Sequence, residues 1–452
     1  MRRLVPSVLL LSAFAVALAA AAPPDAPPEE GALLLTGGTL VDPRTGTAAE
    51  ADLLIVDGAI VAAGRLRPEA FAGEVVDASG KWIVPGLRDL HVHAFLNQAP
   101  GRVAETLTTP VVAARMLYAG VTGFLDLFNL EDYVLLLRDH QRETGEPAGA
   151  DIYAAGPCLT APGGHCTEYR IPTRLIDSPE AARREVAELA AKAPDVVKLV
   201  YAHVPEGLEG EAWRPGMPSI DRPTLEAAVA AAAERGLPTV VHVRSWEDVR
   251  ASVEAGATAV THVPAEGPVP DDLVELMAER GTVMIPTLAN LDISLATDPA
   301  VLEEPLLRAV AGPRILEAYR GFAGGGERAE TVLASMDEAQ ANRLASVGKL
   351  AAAGVPMVAG TDSGNPWTVQ GYSLHRELEL LVEAGLAPRQ ALAAATTAAG
   401  ELLGRSWGLA PGDEGTVLVL DASPLEDIRN TRRVYAVIHH GNVVDREELL
   451  AD

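Results

Sequence analysis

The chain has 452 residues, 48% of them hydrophobic, and its 62 acidic residues outnumber the 36 basic ones to give a net charge of −26. This length and apolar content predict a globular protein with a sizeable core, either one large domain with an appendage or two to three average domains. The negative charge argues against nucleic acid and anionic membranes as partners, because both attract basic surfaces.

The first 22 residues are typical of a secretory signal peptide. Arg2 and Arg3 precede an apolar run, Leu4–Leu18, and the small residues Ala19–Ala22. The run is shorter than the ~20 residues that usually span a bilayer, which argues against an uncleaved anchor. Because no second apolar stretch is long enough to span a bilayer, we expect no stable membrane insertion after cleavage. The mature protein is expected to be periplasmic or secreted. The proline-rich and acidic residues 23–31 predict a disordered leader.

Short apolar runs separated by turns occupy both ends of the remaining chain. The pair Asp57-Gly58 between two such runs predicts a hairpin. We predict that residues 32–81 and 402–447 pair into one small β-sandwich domain, with the middle of the chain inserted between them. The runs are Leu33–Leu40, Ala51–Val56, Ala59–Ala63, Glu74–Val76, Thr416–Leu420, Tyr435–His439 and Val443–Val444.

Residues 82–401 alternate apolar runs with helical patterns, which predicts an α/β fold of the (β/α)8 TIM-like barrel type. The segment Pro299–Ala353 is mostly helical and predicts additional helices beside the last strand. The eight predicted strands are Trp82–His93, Val121–Leu127, Asp151–Ala155, Val196–Val200, Thr239–Val243, Ala257–His262, Val283–Pro286 and Val355–Ala359. The predicted helices include Ala181–Ala191, Thr224–Arg235, Trp246–Ala255 and Asp272–Arg280.

Polar side chains lie where these predicted strands end, at the face where barrel enzymes have their active sites. His91 and His93 are two residues apart in an extended run, so both side chains point to one face and can hold one metal ion. A histidine at a strand end can instead satisfy a backbone group, and Asp362 can be a turn residue. The residues at strand ends are His91, His93, Lys198, His242, His262 and Asp362.

Lys198 is the most informative of these residues. The chain has only four lysines among its 36 basic residues, and this one lies inside the apolar run Val196–Val200. Burying an unpaired ammonium is costly. A neutral lysine amine can instead react with carbon dioxide, and the resulting carbamate would be an anionic ligand able to bridge two metal ions.

Two cysteines, Cys158 and Cys166, lie in a turn-rich loop. In an oxidising compartment they can form a disulfide, and their spacing leaves free thiols equally open.

The chain resembles the amidohydrolase superfamily, in its binuclear-metal branch, from Leu33 to Val444. The motifs that carry this resemblance are PGLRDLHVH, YAGVTGFLDL, VVKLVY, TVVHV, AVTHV and AGTDSG. The resemblance implies two divalent metal ions. It implies that one ion is bound by His91 and His93, the other by His242 and His262, and that carbamylated Lys198 bridges both.

The same resemblance implies the reaction. Asp362 would contact the first metal ion and a bridging hydroxide, accept the hydroxide proton and pass it to the leaving nitrogen of an amide. Zinc is the expected metal, while the nitrogen and oxygen ligands leave manganese, cobalt and iron open.

Within the superfamily the chain is most similar to the imidazolonepropionase-like and Xaa-Pro dipeptidase-like enzymes. Their glycine-rich GGH loop matches Gly163–His165, which places His165 near a substrate carbonyl. Tyr201 is expected to contact the same oxygen, and Arg244 is expected to hold a substrate carboxylate. Each of these three side chains can equally be structural. Homo-oligomers are common in this superfamily, so oligomerisation is left open.

We therefore expect an exported amidohydrolase acting on a small molecule such as a dipeptide or an N-acyl amino acid. One alternative is a metal-dependent esterase, lactonase or phosphotriesterase. The other is a non-catalytic binding relative, against which the complete set of six residues argues.

Overall fold

The fold is described from a computed structural model, which describes residues 31–66, 71–100, 103–203, 217–323 and 326–450. The predicted signal peptide, and the predicted leader apart from Gly31, lie outside the described residues. Within these ranges, no helix combines the length and the apolar character needed to cross a bilayer.

The chain forms strands at both ends and alternating strands and helices between them. The strands are β1 (Ala32–Asp42), β2 (Thr47–Val56), β3 (Ala59–Gly64), β4 (Glu74–Asp77), β5 (Trp82–Pro85), β6 (Leu87–Val92), β7 (Leu96–Ala99), β8 (Val103–Thr106), β9 (Val121–Asp126), β10 (Asp151–Ala154), β11 (Leu159–Thr160), β12 (Arg174–Leu175), β13 (Val197–Val200), β14 (Thr239–His242), β15 (Ala259–Thr261), β16 (Val283–Ile285), β17 (Val417–Leu420), β18 (Val434–His439) and β19 (Asn442–Val443). The helices are α1 (Thr109–Tyr118), α2 (Glu131–Thr144), α3 (Pro179–Ala190), α4 (Arg222–Ala233), α5 (Trp246–Glu254), α6 (Asp271–Arg280), α7 (Ser294–Thr297), α8 (Pro305–Val310), α9 (Pro313–Ala323), α10 (Glu327–Ala352), α11 (Tyr372–Glu383), α12 (Pro388–Ala394) and α13 (Thr397–Leu403).

Strands from both chain ends pair in one eight-stranded sheet, in the order β19-β18-β17-β5-β1-β2-β3, with β4 also paired to β1. The two ends meet where β17 runs antiparallel to β5. The predicted hairpin is confirmed, because Val56 pairs with Ala59 across Asp57-Gly58 and both turn residues have positive φ. The strand pairing thus joins both chain ends in one hydrogen-bonded sheet, and the predicted sandwich packing of this domain stays a prediction.

The middle of the chain builds a barrel-like arrangement from parallel strands. One sheet has the order β10-β9-β6, and another has the order β12-β11-β13-β14-β15-β16. Residues 355–363 lie between β16 and β6, because Val358 N donates to Met284 O and Leu90 N donates to Ala359 O. The carboxyl ends of these strands therefore share one face of the molecule.

Two strand predictions were wrong in detail. The predicted strand Trp82–His93 is two strands, because Gly86 interrupts it and β5 joins the sheet of the chain ends while β6 joins the barrel. The predicted strand Val355–Ala359 forms a single parallel bridge, between Met357 and Met284. Pro356 has no N–H to donate to a strand ladder, which explains the irregular pairing there.

The four named helices were predicted within two residues of α3, α4, α5 and α6. Three of them begin with a capping side chain: Ser178, Asp221 and Ser245 accept hydrogen bonds from N–H groups of the first turn. The predicted helical segment after Pro299 is also confirmed, since it contains α8, α9 and α10.

Strand β17 packs against two apolar clusters. Leu418 and Leu420 belong to the large cluster between the barrel strands and helices. Val417 and Val419 point to the opposite face, into the cluster formed by the sheet of the chain ends. The alternation along one strand therefore joins the two parts of the molecule.

Candidate metal centre

The six polar residues predicted at strand ends meet at the carboxyl face of the barrel-like region. Asp362 Oδ1 lies 3.0 Å from His93 Nε2 and 3.3 Å from His91 Nε2. The imidazole ring of His262 lies 5.0 Å from that of His91 and 4.5 Å from that of His242, measured between ring centroids. One ligand atom each from His91, His262 and Asp362 lies within 4.8 Å of the others.

Lys198 lies among these residues on β13, with 2% of its surface exposed. Its Nζ atom has no hydrogen-bond partner among the described residues. Burial lowers the pKa of Lys198 to about 7, and the only facing charge that opposes the shift is Asp362. Burying an amine without a hydrogen-bond partner is costly, so a cluster with a purely structural role would not be expected to contain one.

The ionisation of the other residues favours metal binding. Burial holds the pKa of His91 and His242 well below the usual value and lowers that of His262 to about 3, so all three rings are neutral. Burial would raise the pKa of Asp362, yet its contacts in the cluster, among them the one with His93, hold the pKa well below its usual value. Neutral imidazoles and an ionised carboxylate are the forms that ligate divalent cations.

Two threonines orient the imidazole rings. His91 Nδ1 lies 2.7 Å from Thr261 Oγ1, and that hydroxyl faces the Ile285 carbonyl at 3.4 Å. His262 Nδ1 lies 2.8 Å from Thr287 Oγ1. Each hydroxyl oxygen can accept the Nδ1 proton, which leaves Nε2 unprotonated and facing the centre.

A short amide network holds the Asp362 carboxylate. Asn290 Nδ2 donates to Oδ2 at 3.1 Å, and Asn365 Nδ2 donates to Oδ1 at 2.9 Å. Arg343 Nη1 in turn donates to Asn290 Oδ1 at 2.8 Å. These residues and the two threonines were not predicted from the sequence. Only Thr261 had a signal, since it directly precedes His262 in the motif AVTHV.

The three predicted substrate residues lie at different places around the centre. The His165 ring lies 4.6 Å from the His242 ring, and its Nδ1 lies 2.7 Å from Glu168. Tyr201 packs its ring 4.7 Å from that of His203. Arg244 is largely buried, and burial lowers its pKa while Asp248 and Glu168 face it. Of the three, His165 is the one whose ring contacts a residue of the centre.

Cys158 and Cys166 form a disulfide, with their Cα atoms 6.7 Å apart. The sequence left a disulfide and two free thiols open, and the structure has the disulfide. Both sulfur atoms are buried beside Phe128 and Val200, so the bridge closes the loop that carries His165.

The donor set fits divalent cations. Imidazole nitrogens and carboxylate oxygens suit zinc, manganese, cobalt and iron, whereas no thiolate faces the site. The buried Lys198 amine lacks a partner among the described residues, and conversion to an anionic carbamate beside a cation would remove that cost.

Comparison with known proteins agrees with this arrangement. The sequence model described as "Amidohydrolase family" matches residues 82–444. Ochratoxinase from Aspergillus niger is 23% identical over 423 aligned residues, which cover 82% of this chain and 79% of that protein. An uncharacterized protein of Mycobacterium tuberculosis is 27% identical over 347 residues, covering 76% of this chain and 80% of the relative.

Solved structures share the fold. A Xaa-Pro dipeptidase superposes with a TM-score of 0.72 at 21% identity, covering 92% of this chain and all of that one. A molinate hydrolase gives a TM-score of 0.69 at 21% identity, covering 92% of this chain and 95% of that one. These neighbours support a TIM-barrel-like α/β fold with an attached sheet domain. Because the family match spans most of the sequence, the chain belongs to the amidohydrolase family.

Proposed function

We propose that this protein is an exported, metal-dependent hydrolase that cleaves the amide bond of a small substrate, such as a dipeptide or an N-acyl amino acid. One observation carries the proposal: the buried Lys198 amine has no hydrogen-bond partner among the described residues and interacts electrostatically with His91, His242, His262 and Asp362. Family membership supports hydrolysis. Structural neighbours named as a dipeptidase and a prolidase support an amide substrate.

Two divalent cations, with zinc as the expected metal, fit this donor set. We assign one ion to His91 and His93 and the other to His242 and His262. The neutral Lys198 amine would form an N–C bond to carbon dioxide and release one proton, and the resulting carbamate would supply an anionic ligand to the ions. When bound, the ions supply a hydroxide near neutral pH and polarise the substrate carbonyl.

Asp362 acts as the proton carrier in this proposal. Its carboxylate contacts the histidines of the first ion and is ionised, which is the form that can accept a proton. The leaving nitrogen of an amide must be protonated to depart, so Asp362 would transfer the proton to it. Asn290 and Asn365 donate to its two oxygens and therefore orient the carboxylate during both steps.

Substrate contacts are assigned to the three predicted substrate residues near the candidate metal centre. His165, beside His242, is placed to reach the substrate carbonyl. We assign a substrate carboxylate to the guanidinium of Arg244 and a hydrogen bond to the substrate to Tyr201.

The test is a hydrolysis screen of the mature chain, reconstituted with zinc and bicarbonate, against dipeptides and N-acyl amino acids with matched aryl esters and lactones. We expect amide cleavage that a chelator abolishes. Asp362→Asn should lower kcat by roughly 10²–10⁴-fold. Lys198→Met should lower both activity and metal content, while Lys192→Met, in an exposed ion pair, serves as the control.

Two outcomes would contradict the proposal in different ways. Turnover of esters or lactones alone would assign the centre to oxygen leaving groups, because these need less protonation to depart. Full activity of Asp362→Asn would exclude its role as the proton carrier.

Export is tested separately by cell fractionation. The full chain is expected outside the cytoplasm and shortened by about 22 residues at its N-terminus, as the signal-peptide pattern predicts. A chain that lacks residues 1–22 should stay inside. Recovery of the full-length, uncleaved chain from the cytoplasm would contradict this part of the proposal.

A further inference from the structure

A second cluster of ligand-type side chains lies away from the candidate metal centre. Asp151 is the first residue of β10, at the end of the strand opposite to the carboxyl face. His439 is the last residue of β18, and His440 follows it in the turn to β19. One ligand atom from each of the three lies within 4.8 Å of the others. We propose that Asp151, His439 and His440 bind one divalent metal ion of the zinc class.

The distances fit such an ion. Asp151 Oδ1 lies 3.3 Å from His439 Nε2 and 2.7 Å from His440 Nε2. In a tetrahedral zinc site with bonds of about 2.0–2.1 Å, neighbouring ligand atoms lie about 3.3 Å apart. The first distance already has this value, and the second needs to lengthen by roughly 0.6 Å to reach the same geometry. Small side-chain rotations would therefore complete the site.

The hydrogen bonding of the cluster is incomplete without a cation. Both imidazole Nε2 atoms face the same carboxylate oxygen, and only His440 makes a hydrogen bond to it. Within the described part of the chain, the buried atoms His439 Nε2 and Asp151 Oδ2 have no hydrogen-bond partner. Leaving such buried atoms unpaired has a desolvation cost. A cation bound to Asp151 Oδ1 would also bind His439 Nε2, and coordination through both carboxylate oxygens would satisfy Oδ2 as well.

The backbone places the imidazole rings of His439 and His440 side by side through a conformation that is unfavourable for a non-glycine residue. Consecutive residues of a strand normally point to opposite faces. His440 instead has a φ of +49° and Gly441 a φ of +78°, in the two-residue turn between the paired residues His439 and Asn442. Such a turn favours Asn-Gly, so a histidine in its first position needs another reason. Here the left-handed residue turns its ring beside that of His439, with centroids 4.2 Å apart.

The surroundings leave one coordination position open. All three residues line a cleft of about 1010 Å³ at the bottom of the barrel-like region, so water can reach the fourth position. Glu414 Oε1 lies 3.8 Å from His440 Nδ1, but its carboxylate already accepts hydrogen bonds from Arg88 and Trp407. The ion would therefore connect β10 of the barrel to the β18–β19 hairpin of the end sheet.

The experiment measures zinc per chain in the full mature protein, by elemental analysis after dialysis against a defined free zinc concentration. His439→Gln and Asp151→Asn remove ligands. His440→Asn removes a ligand and places the favoured Asn-Gly pair in the turn, so this variant should fold at least as well as the wild type. His140→Gln replaces an exposed histidine of α2 and is the matched control.

We expect each of the three ligand variants to bind one zinc equivalent fewer than both the wild type and His140→Gln. We also expect zinc to raise the melting temperature of the wild type by more than that of His440→Asn. Because the comparison is a difference between variants, it does not depend on how many ions the candidate centre holds. Equal zinc content and equal thermal shifts in wild type and folded variants would overturn the proposal and leave an ion pair between the two parts of the molecule.

Discussion

Two of the residues at the candidate metal centre have a strained backbone. His262 has a φ of +76° and Asp362 a φ of +60°, both in the left-handed region that non-glycine residues seldom adopt. Such residues cost about 1–3 kcal/mol each and persist where the surroundings hold them. Here His262 N donates to Ile285 O and Asp362 N donates to His91 O. The neighbouring strands thus keep both side chains directed at the centre.

A first prediction concerns the hydroxyl that orients His91. In Thr261→Val the shape is kept, but the acceptor for the His91 Nδ1 proton is lost, so both the tautomer and the ring orientation become less defined. We expect metal affinity to fall by roughly 10–100-fold, as measured by competition with a coloured chelator. Thr122→Val is the control, because the hydrogen bond of that buried hydroxyl among the described residues goes to the Leu87 carbonyl and not to a ligand of the centre. Equal affinity in the two variants would contradict the role of Thr261.

A second prediction concerns pH. Burial raises the pKa of Glu377 to about 8 from an ordinary value of 4.5, although the Ala289 and Leu288 amides and Arg343 oppose the shift. Between these values the folded chain holds a proton that the unfolded chain has released. The free energy of unfolding should therefore decrease as pH rises through this range, by up to about 1.4 kcal/mol per unit from this group.

Glu377→Gln should remove that contribution, because a neutral amide does not titrate. Urea unfolding of both proteins at several pH values inside the range measures the difference in slope, to which the other titrating groups contribute equally. Parallel pH profiles for the two proteins would show that Glu377 ionises normally in the folded state.

Among the elements, the segment that carries Asp362 depends on a close approach to its neighbours. A Cβ atom added at Gly360 would lie 2.6 Å from Ile285 Cγ2 and 2.9 Å from His91 Cβ. Gly360→Ala would therefore push residues 355–363 away from both β16 and β6. We expect a loss of about 1–3 kcal/mol in the free energy of unfolding and a weaker metal affinity.

Gly321→Ala is the matched control for this prediction. Gly321 lies in α9, and a Cβ added there meets no atom within 4 Å. Alanine in a helix is favoured over glycine by about 1 kcal/mol, so this variant should be slightly more stable. Urea unfolding compares the two. A Gly360→Ala protein as stable as the control would show that the segment can shift without cost.

The sequence predicted those elements whose pattern is local. The strands ending at His242 and His262 combine an apolar run with a polar end, and these strands and the helices after them were each located within two residues. The first of the two helices, α5, also begins with a capping side chain, Ser245. The break at Gly86 was missed, because the partner that takes β5 out of the barrel is β17, more than 300 residues later. The orienting residues Thr287 and Asn290 were missed for the same reason, since their partners come from other strands.

At the scale of the whole molecule, the two chain ends and the inserted barrel share one strand. Strand β17 contributes Leu418 to the barrel cluster and Val419 to the cluster of the end sheet. Displacing this strand would therefore disrupt both clusters at once. The hairpin β18–β19 adds the contacts of His439 and His440 with Asp151 of the barrel. These links favour one cooperative unit rather than two independently stable domains.

A last prediction follows from the shared strand. Leu418→Ala in the barrel cluster and Leu53→Ala in the end sheet both create cavities at fully buried positions, and each should cost about 2–5 kcal/mol. If the molecule unfolds as one unit, both variants lower the urea concentration at the midpoint of one single unfolding transition. The unfolding curves from tryptophan fluorescence and from far-UV circular dichroism then coincide. Leu136→Ala, at a side chain that is 68% exposed, should change stability by less than about 0.5 kcal/mol. A separate early transition in Leu53→Ala alone would instead mean that the end sheet unfolds while the barrel stays folded.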